Sequence, residues 1–260
     1  MKKNNLDNFA LVILSSKNYE YSWPYFKRFW DIYCKEINIE KYFITTNKNK
    51  TYYNFQIISP EKLSHEDIWS ERIKKTLEKI DKENLLVFTE DCIIKKKVNF
   101  HNVNLVFNYF LRNKIDYLNV SLSPKQNFLS EKSIYKSDLY NFHRINLQPA
   151  LWKKKFLIKM LLKKQTPRQF ELNASKDSLK HKIYTTNYYL FPYTEIIRKS
   201  KLTPYGYKLL KSEFPNITSK FNIMNFSEAL HYNISIFKDI LLSSLPNSIR
   251  KKYVILKRKI

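Results

Sequence analysis

Two adjacent carboxylates, Glu90 and Asp91, follow the apolar run Asn84-Leu85-Leu86-Val87-Phe88 and Thr89. In open α/β sheets ligands bind beyond the carboxyl ends of the strands, and paired acidic groups there are costly unless a cation or hydrogen bonds offset their charge. A divalent ion bridging a diphosphate is a natural partner, because hard cations take one or two protein carboxylates together with phosphate oxygens. Taken alone, the pair also reads as a surface turn or a helix cap.

The rest of the composition narrows the chemistry. The 260 residues contain a single glycine, Gly206. Dinucleotide folds and P-loops need several glycines to let backbone amides approach phosphate, so any nucleotide must be held by another device. Cys34 and Cys92 are too few and too far apart for a disulfide framework or a cysteine zinc site. Among the five histidines, His181 and His231 are too isolated to mark a site.

The 47 Lys and Arg against 23 Asp and Glu leave a formal charge of +24, which suits nucleic acid, acidic phospholipid or a phosphorylated substrate. The basic residues fall in short clusters such as Lys95-Lys96-Lys97 and Lys153-Lys154-Lys155. Together with abundant Asn, Tyr, Phe and Ile, they also match the coding bias of an AT-rich genome. At 43% hydrophobic and 16% aromatic residues the chain has enough apolar side chain to bury a core. No signal-peptide core is read at the N-terminus and no run reaches the roughly 20 apolar residues of a spanning helix, so the expectation is a cytoplasmic protein, at most attached to the membrane from that side.

The elements that would position the acidic pair alternate. Phe9 to Leu14 reads as a buried strand ending at Ser15-Ser16, followed by an aromatic helix over Trp23 to Ile37. Lys41 to Thr46 and Phe55 to Ile58 read as strands. Ser64 to Asp67 has capping-box spacing before a helix bearing Trp69, Ile73, Leu77 and Ile80. Asn84 to Phe88 is the best buried strand, and a helix over Val103 to Arg112 and a strand over Tyr117 to Ser121 complete a βαβα series. Beyond it the pattern predicts a helix from Pro149 to Leu162, a strand over Lys180 to Phe191 and a turn at Gly206.

The stretch Leu86-Val87-Phe88-Thr89-Glu90-Asp91 resembles the acidic motif of glycosyltransferases of the GT-A fold. Trp69-Ser70-Glu71-Arg72, Gln148-Pro149-Ala150-Leu151-Trp152 and Pro167-Arg168-Gln169-Phe170-Glu171 extend the likeness, in order, to small bacterial transferases of surface-polysaccharide synthesis (lipooligosaccharide or capsule). The resemblance spans about Phe9 to Ser175, and the Trp that usually follows that Pro is Arg168 here. It implies a GT-A-like, Rossmann-type mixed sheet flanked by helices, with an irregular C-terminal half. It also implies transfer of a sugar from a nucleotide-sugar donor to a saccharide or lipid-linked acceptor.

The same resemblance implies a donor site of Ser15, Ser16, Arg72, Glu90 and Asp91. Asp91 would be the ligand of a divalent cation, Mn or Mg, and Arg72 would face the diphosphate with its forked donors. Glu171 is the candidate base for the acceptor hydroxyl, and Gln148 and Trp152 are candidate acceptor contacts. Each has a plainer reading beside it: turn formation for the serines, a solvated helix face for Arg72, a cap or ion pair for Glu171 and core packing for Trp152.

The organisation expected is one catalytic domain over residues 1–240 and a basic amphipathic tail over 241–260 that meets an anionic membrane surface. The alternative is a basic nucleic-acid-binding protein without catalysis. It is disfavoured because no helix-turn-helix, zinc-finger or RNP-like pattern is readable and the aromatics fall at core spacing, so no specific nucleic-acid partner is expected.

Overall fold

The computed structural model describes residues 5–46, 50–60, 68–121, 133–138, 144–215, 221–246, 248–249 and 252–253. Its strands are β1 (Phe9–Leu14), β2 (Glu40–Ile44), β3 (Lys50–Tyr52), β4 (Phe55–Ile58), β5 (Asn84–Thr89), β6 (Cys92–Ile94), β7 (Tyr117–Asn119), β8 (Ile134–Lys136), β9 (Ala150–Lys153), β10 (Ile183–Thr186), β11 (Tyr193–Glu195), β12 (Ile197–Arg198) and β13 (Lys201–Leu202). The helices are α1 (Trp23–Tyr33), α2 (Trp69–Leu77), α3 (Phe100–Arg112), α4 (Lys154–Met160), α5 (Pro167–Asp177), α6 (Pro204–Glu213) and α7 (Phe226–Ser244).

Among the described residues nine strands form one mixed sheet in the order β3-β4-β2-β1-β5-β9-β7-β10-β8, flanked by helices. β4, β2, β1 and β5 run parallel, and β9 enters antiparallel between β5 and β7. Side chains of β1 alternate between the two faces, as a strand covered on both sides must arrange them. Phe9, Leu11 and Ile13 join the core that includes α1 and α3 residues, while Ala10, Val12 and Leu14 join the core that includes α2, α4 and α5 residues. Tight aromatic packing fills the first core: Trp23 stacks on Phe43 at 4.5 Å and Phe9 lies 4.5 Å from Phe107.

Local chemistry sets several helix starts. Pro24 occupies the first turn of α1, where its missing N–H costs nothing. Asn99 accepts from the Asn102 N–H at the start of α3, and Thr166 and Gln169 form a capping box on α5. The capping-box stretch expected at Ser64 to Asp67 lies outside the described residues.

The second half departs from the sequence pattern in four places. Instead of a continuous helix from Pro149, Ala150–Lys153 is a strand and the helix starts at Lys154. Its backbone is drawn into the sheet by ladders on both sides, which outweighs local helix propensity. Only Ile183–Thr186 of the stretch Lys180 to Phe191 is strand. Gly206 lies in the first turn of α6, not in a turn, with its N–H donated to the capping Thr203 hydroxyl at 3.0 Å. Finally, α7 runs through residue 240, so the expected start of the tail at 241 falls inside a helix. Among the described residues no helix is long and apolar enough to cross a membrane.

Candidate functional site

The carboxyl ends of the parallel strands β1 and β5 open into a cavity of about 470 Å³. Its walls carry Leu14, Ser15, Ser16 and Tyr19 after β1, Trp69 and Arg72 from α2, and Thr89, Glu90 and Asp91 after β5. Leu147 and Pro167 close one side, and Glu195, Ile197, Arg198 and Lys199 form another. Ser15, Ser16, Arg72, Glu90 and Asp91, which stand far apart in sequence, therefore share one cavity. They meet there because β1 and β5 are neighbours in register, Leu14 opposite Thr89, so that both chains leave the sheet at the same level.

Hydrogen bonds hold the serine side of the cavity. The Ser15 N–H donates to the Ile44 carbonyl at 2.9 Å, and the Trp23 indole N–H donates to the Ser15 hydroxyl at 2.8 Å. Arg72 reaches across from α2 and donates through Nη2 to the Ser15 carbonyl at 3.3 Å. Its Nε is buried and has no hydrogen-bond partner among the described residues. Burial lowers the affinity of the guanidinium for its proton, and the nearby Glu90 charge opposes that shift.

The acidic side carries charge at a cost. Burial pushes the Glu90 carboxyl well above its usual range, the Asp91 charge adds to the shift, and Arg72 works against it. Asp91 is pushed up to about 6, first by burial and then by Glu195, while hydrogen bonds from Thr89 and Cys92 work the other way. Hard carboxylate oxygens that hold their protons this tightly fit a divalent cation, which would compete with the proton. Among the described residues no group of three His, Cys, Asp or Glu side chains could hold a metal by itself. Asp91 with Glu90 fits such an ion only in a shell completed by ligand oxygens.

The remaining candidates stand outside the cavity wall. Glu171, on α5, accepts the Leu147 N–H at 2.8 Å and stands behind Leu147. Burial first, and the Glu195 charge among lesser causes, push its carboxyl up to about 6. Gln148 Oε1 accepts from the Ser121 hydroxyl at 3.4 Å. Trp152 is fully buried between Tyr117, Phe156 and Phe170, and its indole N–H has no partner among the described residues. Its place is in the core. Trp69 does both jobs, lining the cavity while its ring packs 5.5 Å from Phe170.

Sequence reasoning passed over Tyr19 and the wall from Glu195 to Lys199. The only available signal was the hairpin-length run Ile197 to Leu202, and it lacked the glycine or asparagine that marks a tight turn. The turn residues Lys199 and Ser200 nonetheless adopt φ of 50° and 61°, and the Ser200 and Tyr19 hydroxyls share a hydrogen bond of 3.2 Å.

No protein-family model matches the chain, and no curated protein does. Solved structures do. S. aureus TarS 1-349 in complex with UDP-GlcNAc is similar over 96% of this chain and 80% of its own, at 10% identity and a TM-score of 0.47. The apo-form glycosyltransferase GlyE of Streptococcus pneumoniae is similar over 91% of this chain and 51% of its own, at 8% identity and a TM-score of 0.38. The galactosyltransferase LgtC, solved with donor and acceptor sugar analogs, is similar over 94% of this chain and 99% of its own, at 13% identity and a TM-score of 0.35.

Proposed function

We propose that the chain is a nucleotide-sugar-dependent glycosyltransferase of bacterial surface-polysaccharide synthesis. What supports the reading is the convergence of Ser15, Ser16, Arg72, Glu90 and Asp91 on one cavity beyond the ends of β1 and β5. The serine side would receive the nucleoside. Arg72, with an unpartnered Nε, would face the diphosphate, since guanidinium matches phosphate in a forked geometry. Asp91, supported by Glu90, would hold Mg or Mn against the phosphate oxygens, and when bound the ion would neutralise charge on the departing diphosphate.

The acceptor would be a saccharide or a lipid-linked sugar, and the protein a cytoplasmic one at the inner face of the membrane. The α7 helix supports this placement. Phe226, Leu230, Ile234, Phe237 and Leu241 recur at helical spacing along it and stay exposed, Phe226 at 84% and Phe237 at 66%. The sequence after α7 carries Arg250, Lys251, Lys252, Lys257, Arg258 and Lys259, which complement an anionic lipid surface.

The deciding experiment is binding and turnover of UDP-, GDP- and CMP-linked sugars with and without manganese, on the wild type and Asp91→Ala. Metal-dependent binding that Asp91→Ala weakens is expected. Binding indifferent to both would remove the metal role. Tight binding to generic DNA or RNA without turnover of any sugar nucleotide would replace the reading with the nucleic-acid one.

A further inference from the structure

The stretch of cavity wall from Glu195 to Lys199 is held by a dense set of backbone contacts. β11 pairs antiparallel with β6 so that Glu195 lies opposite Cys92, next in sequence to Asp91. The Ile196 N–H donates to the Asp91 carbonyl at 2.9 Å, and Thr203 donates from its N–H to the Ile196 carbonyl and from its hydroxyl to the Glu195 carbonyl, both at 2.9 Å. The lone glycine of the chain lets α6 seat against Ile196, and the hairpin beyond turns through two left-handed residues that are not glycine, at a cost of order 1–3 kcal/mol each. Backbone strain of this kind persists where the surroundings over-determine it.

What this frame presents to the cavity is the Glu195 carboxylate. Its side chain is 28% exposed, and Arg198 stands 3.8 Å from one of its two oxygens, a loose pairing. Glu171 instead takes the Leu147 N–H and is not part of the cavity wall. A base must first be within reach of the proton it removes.

We propose that Glu195 is the general base of the transfer, an assignment that rests on the donor-site reading above. A Glu195 oxygen takes the proton of the acceptor hydroxyl as that oxygen forms its bond to the anomeric carbon. The bond from the anomeric carbon to the phosphate oxygen breaks, and its electron pair leaves with the nucleotide. Arg198 stays beside the carboxylate and orients it.

The test uses the full-length protein with UDP-, GDP- and CMP-linked sugars, following both binding by calorimetry and hydrolysis to free sugar, in which water stands in for the acceptor. Glu195→Gln is expected to lower turnover by about 100-fold or more while the Kd for the turned-over sugar nucleotide and its manganese dependence change less than about twofold. Unchanged Kd also certifies the fold of the variant. Glu171→Gln, measured in parallel, should keep turnover within about fivefold. Full turnover in Glu195→Gln, or loss of binding in step with turnover, would overturn the assignment and leave the donor site standing. A wild type that neither binds nor hydrolyses any of these sugars would remove the donor site, and the base with it.

Discussion

Gly206 sits directly against Ile196. A Cβ added at Gly206 would fall 2.6 Å from Ile196 Cα and 2.7 Å from its carbonyl oxygen. Neither atom belongs to a flexible side chain that could swing away, so the first turn of α6 can seat against the end of β11 only if residue 206 has no side chain. Ile196 lies between Glu195 and Ile197, both on the cavity wall. The one glycine of the chain is thus spent on holding that wall.

Gly206→Ala should therefore cost about 1–3 kcal/mol by overpacking, despite the better helix propensity of alanine. A thermal midpoint lower by several degrees in differential scanning calorimetry is expected. An unchanged or raised midpoint would show that the wall yields freely.

Asp91 has a stability signature. Its carboxyl is pushed up to about 6 from an ordinary 3.8, so the fold favours the protonated acid. The penalty for ionising it is absent below about pH 4, develops between pH 4 and 6 and is fully present above. Asp91→Asn removes the penalty. It should stabilise the free protein at pH 7.5 by on the order of 2 kcal/mol, with the gain fading toward pH 4. Urea unfolding at the two pH values reads this directly. A gain that persists at pH 4 would mean that packing, not ionisation, carries it.

Arg72 should matter to phosphate more than to fold. A hydrogen bond to a charged group contributes about 1.5–3 kcal/mol, so Arg72→Met should weaken binding of a nucleoside diphosphate by roughly 10- to 100-fold relative to the bare nucleoside. Arg72→Lys keeps the charge but loses the forked donors, and should recover only part of the difference. Equal weakening for uridine and UDP in a calorimetric titration would place Arg72 away from the phosphates.

Trp152 separates a core residue from a contact. Trp152→Phe removes an unpartnered indole N–H from the core and should change stability by less than about 1.5 kcal/mol, whereas Trp152→Ala should cost about 3–5 kcal/mol. Neither should alter selectivity among acceptors beyond the loss of folded protein. A Trp152→Phe variant with normal stability and a raised acceptor KM would restore the residue to the site.

Deleting residues 245–260 should release the protein from vesicles containing anionic phosphatidylserine or phosphatidylglycerol while leaving donor hydrolysis intact. Co-sedimentation measures the first and nucleotide release the second. Unchanged vesicle binding would assign the membrane contact elsewhere.

The sequence alone determined the elements whose signal is local. The continuous apolar runs at Phe9 to Leu14 and Asn84 to Phe88 read as buried strands and are strands, and the acidic pair follows the second. Ser15, Arg72 and Asp91, which line the cavity, could be singled out in the sequence because each lies at or beside the boundary of a strongly patterned element. What only the tertiary structure decided lies where no local signal exists. Ala150–Lys153 has a helical pattern but is a strand because β5 and β7 both offer it hydrogen bonds. Glu195 carries no motif, and reaches the cavity only because β11 pairs with β6 and Gly206 allows α6 to close against Ile196. Pairing across about a hundred residues of chain is a property of the packed molecule, and periodicity within a short window cannot encode it.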